Sequence, residues 1–114
     1  MLKPLLLGAG LALALAAPAA AASFDCAKAA AKDEIAVCKS CNLSQSDVKM
    51  ATLYEVLTNL VGMGVRGDLQ DSQRAFLKTR AACGADEGCI AKAYETRIGE
   101  LQQGLKTVYA GGPY

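Results

Sequence analysis

The sequence predicts an all-α protein, a small disulfide-stapled antiparallel bundle of three to four helices. Three observations predict it. Apolar residues recur at helical spacing, and no run alternates apolar and polar residues as a half-buried strand would. Capping signals and glycines cut this pattern into helix-length segments with short connections. Finally, five cysteines, Cys26, Cys38, Cys41, Cys83 and Cys89, follow an export leader, so structural disulfides are the expected thiol chemistry.

The leader opens with Lys3, continues with an apolar run from Leu5 to Ala17, and ends in Pro18 and small residues. Ala20 and Ala22 satisfy the small-x-small rule and predict cleavage before Ser23. The run is shorter than the roughly 20 apolar residues of a membrane span. Phe24 and Asp25 stand before Cys26 where a lipoprotein would have small residues. The expected organisation is a signal peptide at 1–22, a helical domain at 23–105 and a flexible tail at 106–114. The expected location is a Gram-negative periplasm, with no membrane anchor after cleavage. Residues 23–114, 92 in all, carry eleven basic and eleven acidic side chains. That balance argues against nucleic acid and against a polybasic membrane surface. A domain this small has a modest core and leans on disulfides.

The first helix is expected from about Ala31 to Lys39, carrying Ile35, Val37 and Cys38. Ser44 and Asp47 then have capping-box spacing, flanked by Leu43 and Val48 as a staple. They predict a helix at 45–61 through Met50, Leu53, Tyr54, Leu57, Leu60 and Val61, ended by Gly62 and Gly64. A further start lies at Asp68 with Asp71, and Leu69, Ala75, Phe76, Leu77 and Arg80 continue it to Gly84, a left-handed stop. Asp86 caps the last helix, where Ile90, Ala93, Tyr94, Arg97, Ile98 and Leu101 share a face. Gly99 and Gly104 weaken its later turns by up to about 1 kcal/mol each. The end, AGGPY, is expected to fray.

The stretch CKSC, from Cys38 to Cys41, invites four chemistries. Haem attachment needs a histidine after the second cysteine, but Asn42 stands there and the chain has no histidine. Zinc needs four thiolates at tighter spacing than Cys83 and Cys89 offer. A redox dithiol belongs at a helix start beside strands, whereas Cys38 falls toward a helix end, where the dipole disfavours a thiolate. Disulfides remain, and no metal or cofactor is expected. Cys83 and Cys89 bracket GADEG, so a local bridge would staple that turn. In one continuous helix Cys26 and Cys38 would lie about 18 Å apart. A fold-back before Ala31 makes their bridge feasible, and the rival is a Cys26–Cys41 bridge that frees Cys38, which the spacing also allows.

SFDCAKA, then Glu34, Val37 and Cys38, Leu43, Asp47, Met50 and Tyr54 form one ordered series of residues. LQDSQRAFLKTRAAC, with Gln73, Arg74, Leu77, Arg80 and Cys83, continues it, followed by Cys89, Ile90 and YETRIGEL with Tyr94, Arg97 and Leu101. In order and spacing this series resembles the lysozyme inhibitor LprI-like family, over about 80 residues. The resemblance implies a small exported helical domain whose cysteines correspond to Cys26, Cys38, Cys83 and Cys89, bridged Cys26–Cys38 and Cys83–Cys89. It makes Cys41 an extra thiol, free within its own chain and open to a Cys41-linked homodimer.

The resemblance also implies a binding protein that protects the cell wall by engaging lysozyme. The residues offer one candidate surface, the loop Gly84–Gly88 with Asp86 and Glu87 at its tip, although Asp86 also reads simply as a helix cap. The alternative is a structural or accessory module with another protein partner. Asp47, Gln73, Arg80, Tyr94 and Arg97 would then form an interhelical polar network, with Asp47 or Glu34 supplying the carboxylate. An enzyme is not expected, because there is no histidine, nucleophile elbow or phosphate loop, and adjacent acids such as Asp33–Glu34 point apart on a helix. Arg66-Gly67-Asp68 reads as a chance tripeptide at a helix start.

Overall fold

A computed structural model describes residues 8–10 and 22–111. The cleavage segment read at 1–22 lies outside these residues, apart from 8–10 and Ala22. Four α-helices and no strand are present among the described residues: α1 (Lys32–Lys39), α2 (Cys41–Leu60), α3 (Met63–Ala82) and α4 (Glu87–Ala110). A 3₁₀ turn, Cys26–Lys28, precedes them and is capped by the Asp25 carboxylate, which accepts from the Ala27 N–H at 2.9 Å. This turn carries the chain back along α1, the fold-back that a Cys26–Cys38 bridge requires. Both bridges, Cys26–Cys38 and Cys83–Cys89, are formed, with Cα atoms 5.8 and 5.5 Å apart. The chain is therefore a small disulfide-stapled helical bundle.

Three helix boundaries differ from the sequence reading, each for a local reason. α2 starts at Cys41, because Ser40 ends α1 and caps α2 at once, its Oγ accepting from the Leu43 N–H at 3.2 Å. Ser44, expected as the cap, is one turn inside α2 and donates to the Val37 carbonyl at the end of α1 (2.7 Å). Cys41, expected in the connection, is thus the exposed first residue of α2. α3 starts at Met63, five residues before the expected Asp68, with Gly64 and Gly67 inside it. Arg66 explains the tight junction: its guanidinium donates to the Thr58 and Val61 carbonyls, at 2.8 and 3.1 Å, and so satisfies the free end of α2. α4 runs to Ala110 with Gly111 as its cap, so residues 106–110 are helix where the sequence reading had a tail.

The α3–α4 turn matches expectation. Gly84 has φ of 59°, in the left-handed region that a side chain resists, and the Asp86 carboxylate accepts from the Cys89 N–H at 3.1 Å.

α2 packs most extensively on α4. Asp47 meets Tyr94, and Leu57 lies against Gly104, both pairs 47 residues apart, so α2 and α4 run parallel. α3 is antiparallel to both, since Gln73 meets Met50 and Arg97 whereas Arg80, seven residues on, meets the earlier Asp47 and Tyr94. The core comprises Val37, Leu43, Met50, Leu57, Phe76, Ile90, Tyr94 and Leu101, with Ala36 and Ala93 between them. Ala22 and Phe24 are partly buried against it. Ile35, Leu60 and Leu77, expected inward, are exposed. Phe76 and Tyr94 pack with ring centroids 5.3 Å apart and tilted by 57°.

Candidate functional site

The polar residues singled out in the sequence divide into two groups in the bundle. The first lies where α1, α2, α3 and α4 converge. Arg80 is buried, and its Nε donates to Asp33 Oδ2 at 2.7 Å. Its Nη1 donates to the Tyr94 hydroxyl at 3.0 Å, and that hydroxyl donates in turn to Asp47 Oδ1 at 2.8 Å. Asp47 Oδ1 is also 3.7 Å from Arg80 Nη1, so both carboxylates pair with the same guanidinium. Phe24 covers the cluster, with its ring centroid 5.4 Å from the Arg80 Cζ. Ahead of the 3₁₀ turn, the Ser23 N–H donates to Asp47 Oδ2 at 2.6 Å.

Electrostatics follow from this enclosure. Burial alone would lower the Arg80 pKa, but the hydrogen bond to Asp33, together with Tyr94, outweighs it and moves the value up. Burial raises the Tyr94 pKa far above its ordinary value, with Asp47 adding to the effect and Arg80 opposing it. Tyr94 is therefore a neutral relay of hydrogen bonds between the guanidinium and Asp47.

The second group lies further along α4. The Arg97 Nε donates to Gln73 Oε1 at 3.0 Å, and its other nitrogens reach Glu100 at 3.1 Å and the Leu69 carbonyl at 3.4 Å. Gln73 also approaches Met50 Sδ at 3.2 Å. Every buried side-chain nitrogen and oxygen among the described residues has a partner.

Asp33, not Glu34, supplies the α1 carboxylate of the network. Glu34 accepts from the Ala31 N–H at the start of α1 (3.3 Å), while Asp33 holds Arg80. A sequence signal for this existed. Asp33 stands three and four residues before Ala36 and Val37, both buried, so it shares the inward face of α1.

At the surface, Asp86 and Glu87 are exposed on the bridged α3–α4 turn. An open groove of about 680 Å³ runs beside it between α3 and α4, lined by Phe76, Thr79, Lys92, Thr96 and the Cys83–Cys89 bridge. Arg66, in the Arg-Gly-Asp tripeptide, spends its guanidinium on the α2 carbonyls. Among the described residues, no group of three or more His, Cys, Asp or Glu side chains is placed to hold a metal ion. None of the helices among the described residues is long and apolar enough to cross a membrane. No family model, curated protein or solved structure matches the chain.

Proposed function

We propose that the protein is an exported, non-enzymatic binding domain of the periplasm that engages lysozyme and so protects the cell wall. The observation that supports this reading is the α3–α4 turn. Its ends are joined by Cys83–Cys89, Gly84 sets a left-handed corner, and the exposed Asp86 and Glu87 stand next to an open groove. A turn held in one shape loses little entropy on binding. Asp86 already caps α4 through Oδ1, so Glu87 is the freer of the two acids for a cationic partner. The exposed thiol of Cys41 gives a separate route to a disulfide-linked homodimer.

A second reading is an accessory module with a different protein partner. It is favoured by the interior placement of Asp47, Arg80, Tyr94 and Arg97, residues that carry the family resemblance but are occupied in packing. One experiment separates the readings. The purified processed protein is titrated against a panel of lysozymes, with a cell-wall lysis assay in parallel. Sub-micromolar inhibition that weakens in Glu87→Lys supports the first reading, and absence of binding across the panel supports the second.

A further inference from the structure

The cluster around Arg80 contains more negative than positive side-chain charge. Asp33 and Asp47 are 3% and 1% exposed, and both pair with one guanidinium. Two enclosed carboxylates on one cation leave an excess negative charge, which is costly in a poorly solvated site. The geometry points to where the missing charge comes from. Asp47 Oδ1 is taken by Tyr94, and Oδ2 faces the backbone nitrogen of Ser23 at 2.6 Å. Ser23 is also the residue at which the leader reading starts the processed chain.

We propose that Asp47 is the receptor for the α-ammonium group created by cleavage of the Ala22–Ser23 bond, and that processing thereby completes the buried ion-pair cluster. The proposal rests on the exported, processed form of the protein put forward above. Hydrolysis of that bond consumes one water and leaves a carboxylate on Ala22 and an amine on Ser23, which is protonated at neutral pH. In the uncleaved chain the Ser23 nitrogen is an amide with one N–H and no charge. As an ammonium it has three donors and a unit positive charge at the same position. The cluster then holds two carboxylates against two cations.

The segment that would present this terminus is anchored directly after the contact. Phe24 lies against the Arg80 guanidinium, Asp25 caps the following turn, and Cys26 is bridged to Cys38 in α1. Only three peptide bonds separate Ser23 from bridged Cys26, so hydrolysis leaves the new end tethered beside Asp47. The ionisable groups around it come from every helix: Asp33 from α1, Asp47 from α2, Arg80 from α3 and Tyr94 from α4. The nearest, Asp47, favours the charged amine. An α-amine ordinarily titrates near about 7.7–8.0, and pairing raises it. The added stability is fully present below that range and is lost as pH rises through the raised value.

The test compares three proteins: the chain beginning at Ser23, released from a fusion without extra residues, the chain beginning at Ala22, and Asp47→Asn beginning at Ser23. The α-amine pKa is read from the pH dependence of its chemical labelling, alongside Tm at pH 7. We expect an α-amine pKa raised by about 1–3 units in the Ser23 chain only. Its Tm should exceed that of the Ala22 chain by at least about 4 °C, and the difference should vanish well above the raised pKa. An ordinary α-amine pKa in the folded Ser23 chain overturns the pairing. If Asp47→Asn does not fold, the other two chains still decide the matter. Intact mass of the exported product separates this result from the export reading. A first residue other than Ser23 overturns the processing step, whatever the recombinant chains show.

Discussion

Arg80→Ala is the substitution with the largest expected effect. The side chain is 8% exposed and pairs with two carboxylates that are themselves buried. Its removal leaves Asp33 without its 2.7 Å partner and Tyr94 without a donor to its hydroxyl. Breaking a buried pair by deleting one member costs about 3–5 kcal/mol, because the remaining charge is uncompensated. Loss of the Phe24 stack adds about 0.5–2 kcal/mol. A domain of this size has only about 5–15 kcal/mol in total, so the variant should be marginal, with Tm lowered by about 12 °C or more. Urea unfolding at pH 7, followed by helical circular dichroism with both disulfides intact, measures the loss. Asp33→Asn and the double variant complete a cycle, in which a coupling of about 1–3 kcal/mol is expected. A loss below about 1 kcal/mol, with additive single effects, would refute the reasoning and mean that the cluster is neutral to stability.

Tyr94 controls the alkaline limit. Its folded pKa is raised, by burial first, so the stability it contributes is complete below about pH 10 and is lost as pH rises through the raised value. Wild type should therefore lose stability above pH 10 more steeply than Tyr94→Phe, as read from urea midpoints across that range; equal slopes would exclude Tyr94. Cys41 should accept one iodoacetamide per native chain, whereas peptide mapping without reductant should return the Cys26–Cys38 and Cys83–Cys89 pairs. Those bridges span 12 and 6 residues, and removing either pair should cost about 2–3 kcal/mol in the chain-entropy account. Two helix glycines should behave differently. Gly99→Ala, with open space around its added Cβ, should stabilise α4 by about 0.5–1 kcal/mol. In Gly104→Ala the new Cβ would lie 2.7 Å from Leu57 Cδ2, so thermal melts should show a smaller gain or a loss.

Much of this fold was legible because its signals are local. The inward face of α4 follows from one helical period through Ile90, Tyr94, Arg97 and Leu101. Asp86 reads as a cap and Gly84 as a left-handed stop from their own positions. The class of cysteine chemistry follows from spacing, the lack of histidine and the leader. Boundaries were less legible, because Ser40 and Ser44 both suit a cap. The choice between them depends on whether the free Val37 carbonyl of α1 takes the Ser44 hydroxyl, as it does. Arg66 likewise ends one helix and steadies the next through carbonyls five and eight residues back, a use that no local motif announces.

The sequence by itself determined that Asp47, Gln73, Arg80, Tyr94 and Arg97 would stand at helical spacing on faces that turn inward. Only the tertiary structure decided who meets whom. Arg80 reaches Asp33 rather than Glu34, and Asp33 lies 47 residues away on another helix. Asp47, which read as half of a capping box, became the point where Tyr94 and the Ser23 nitrogen converge. The physical reason is range. Helix periodicity and capping are set within about four residues along the chain, whereas a buried carboxylate is satisfied by whichever donor the packing of whole helices brings within about 3 Å.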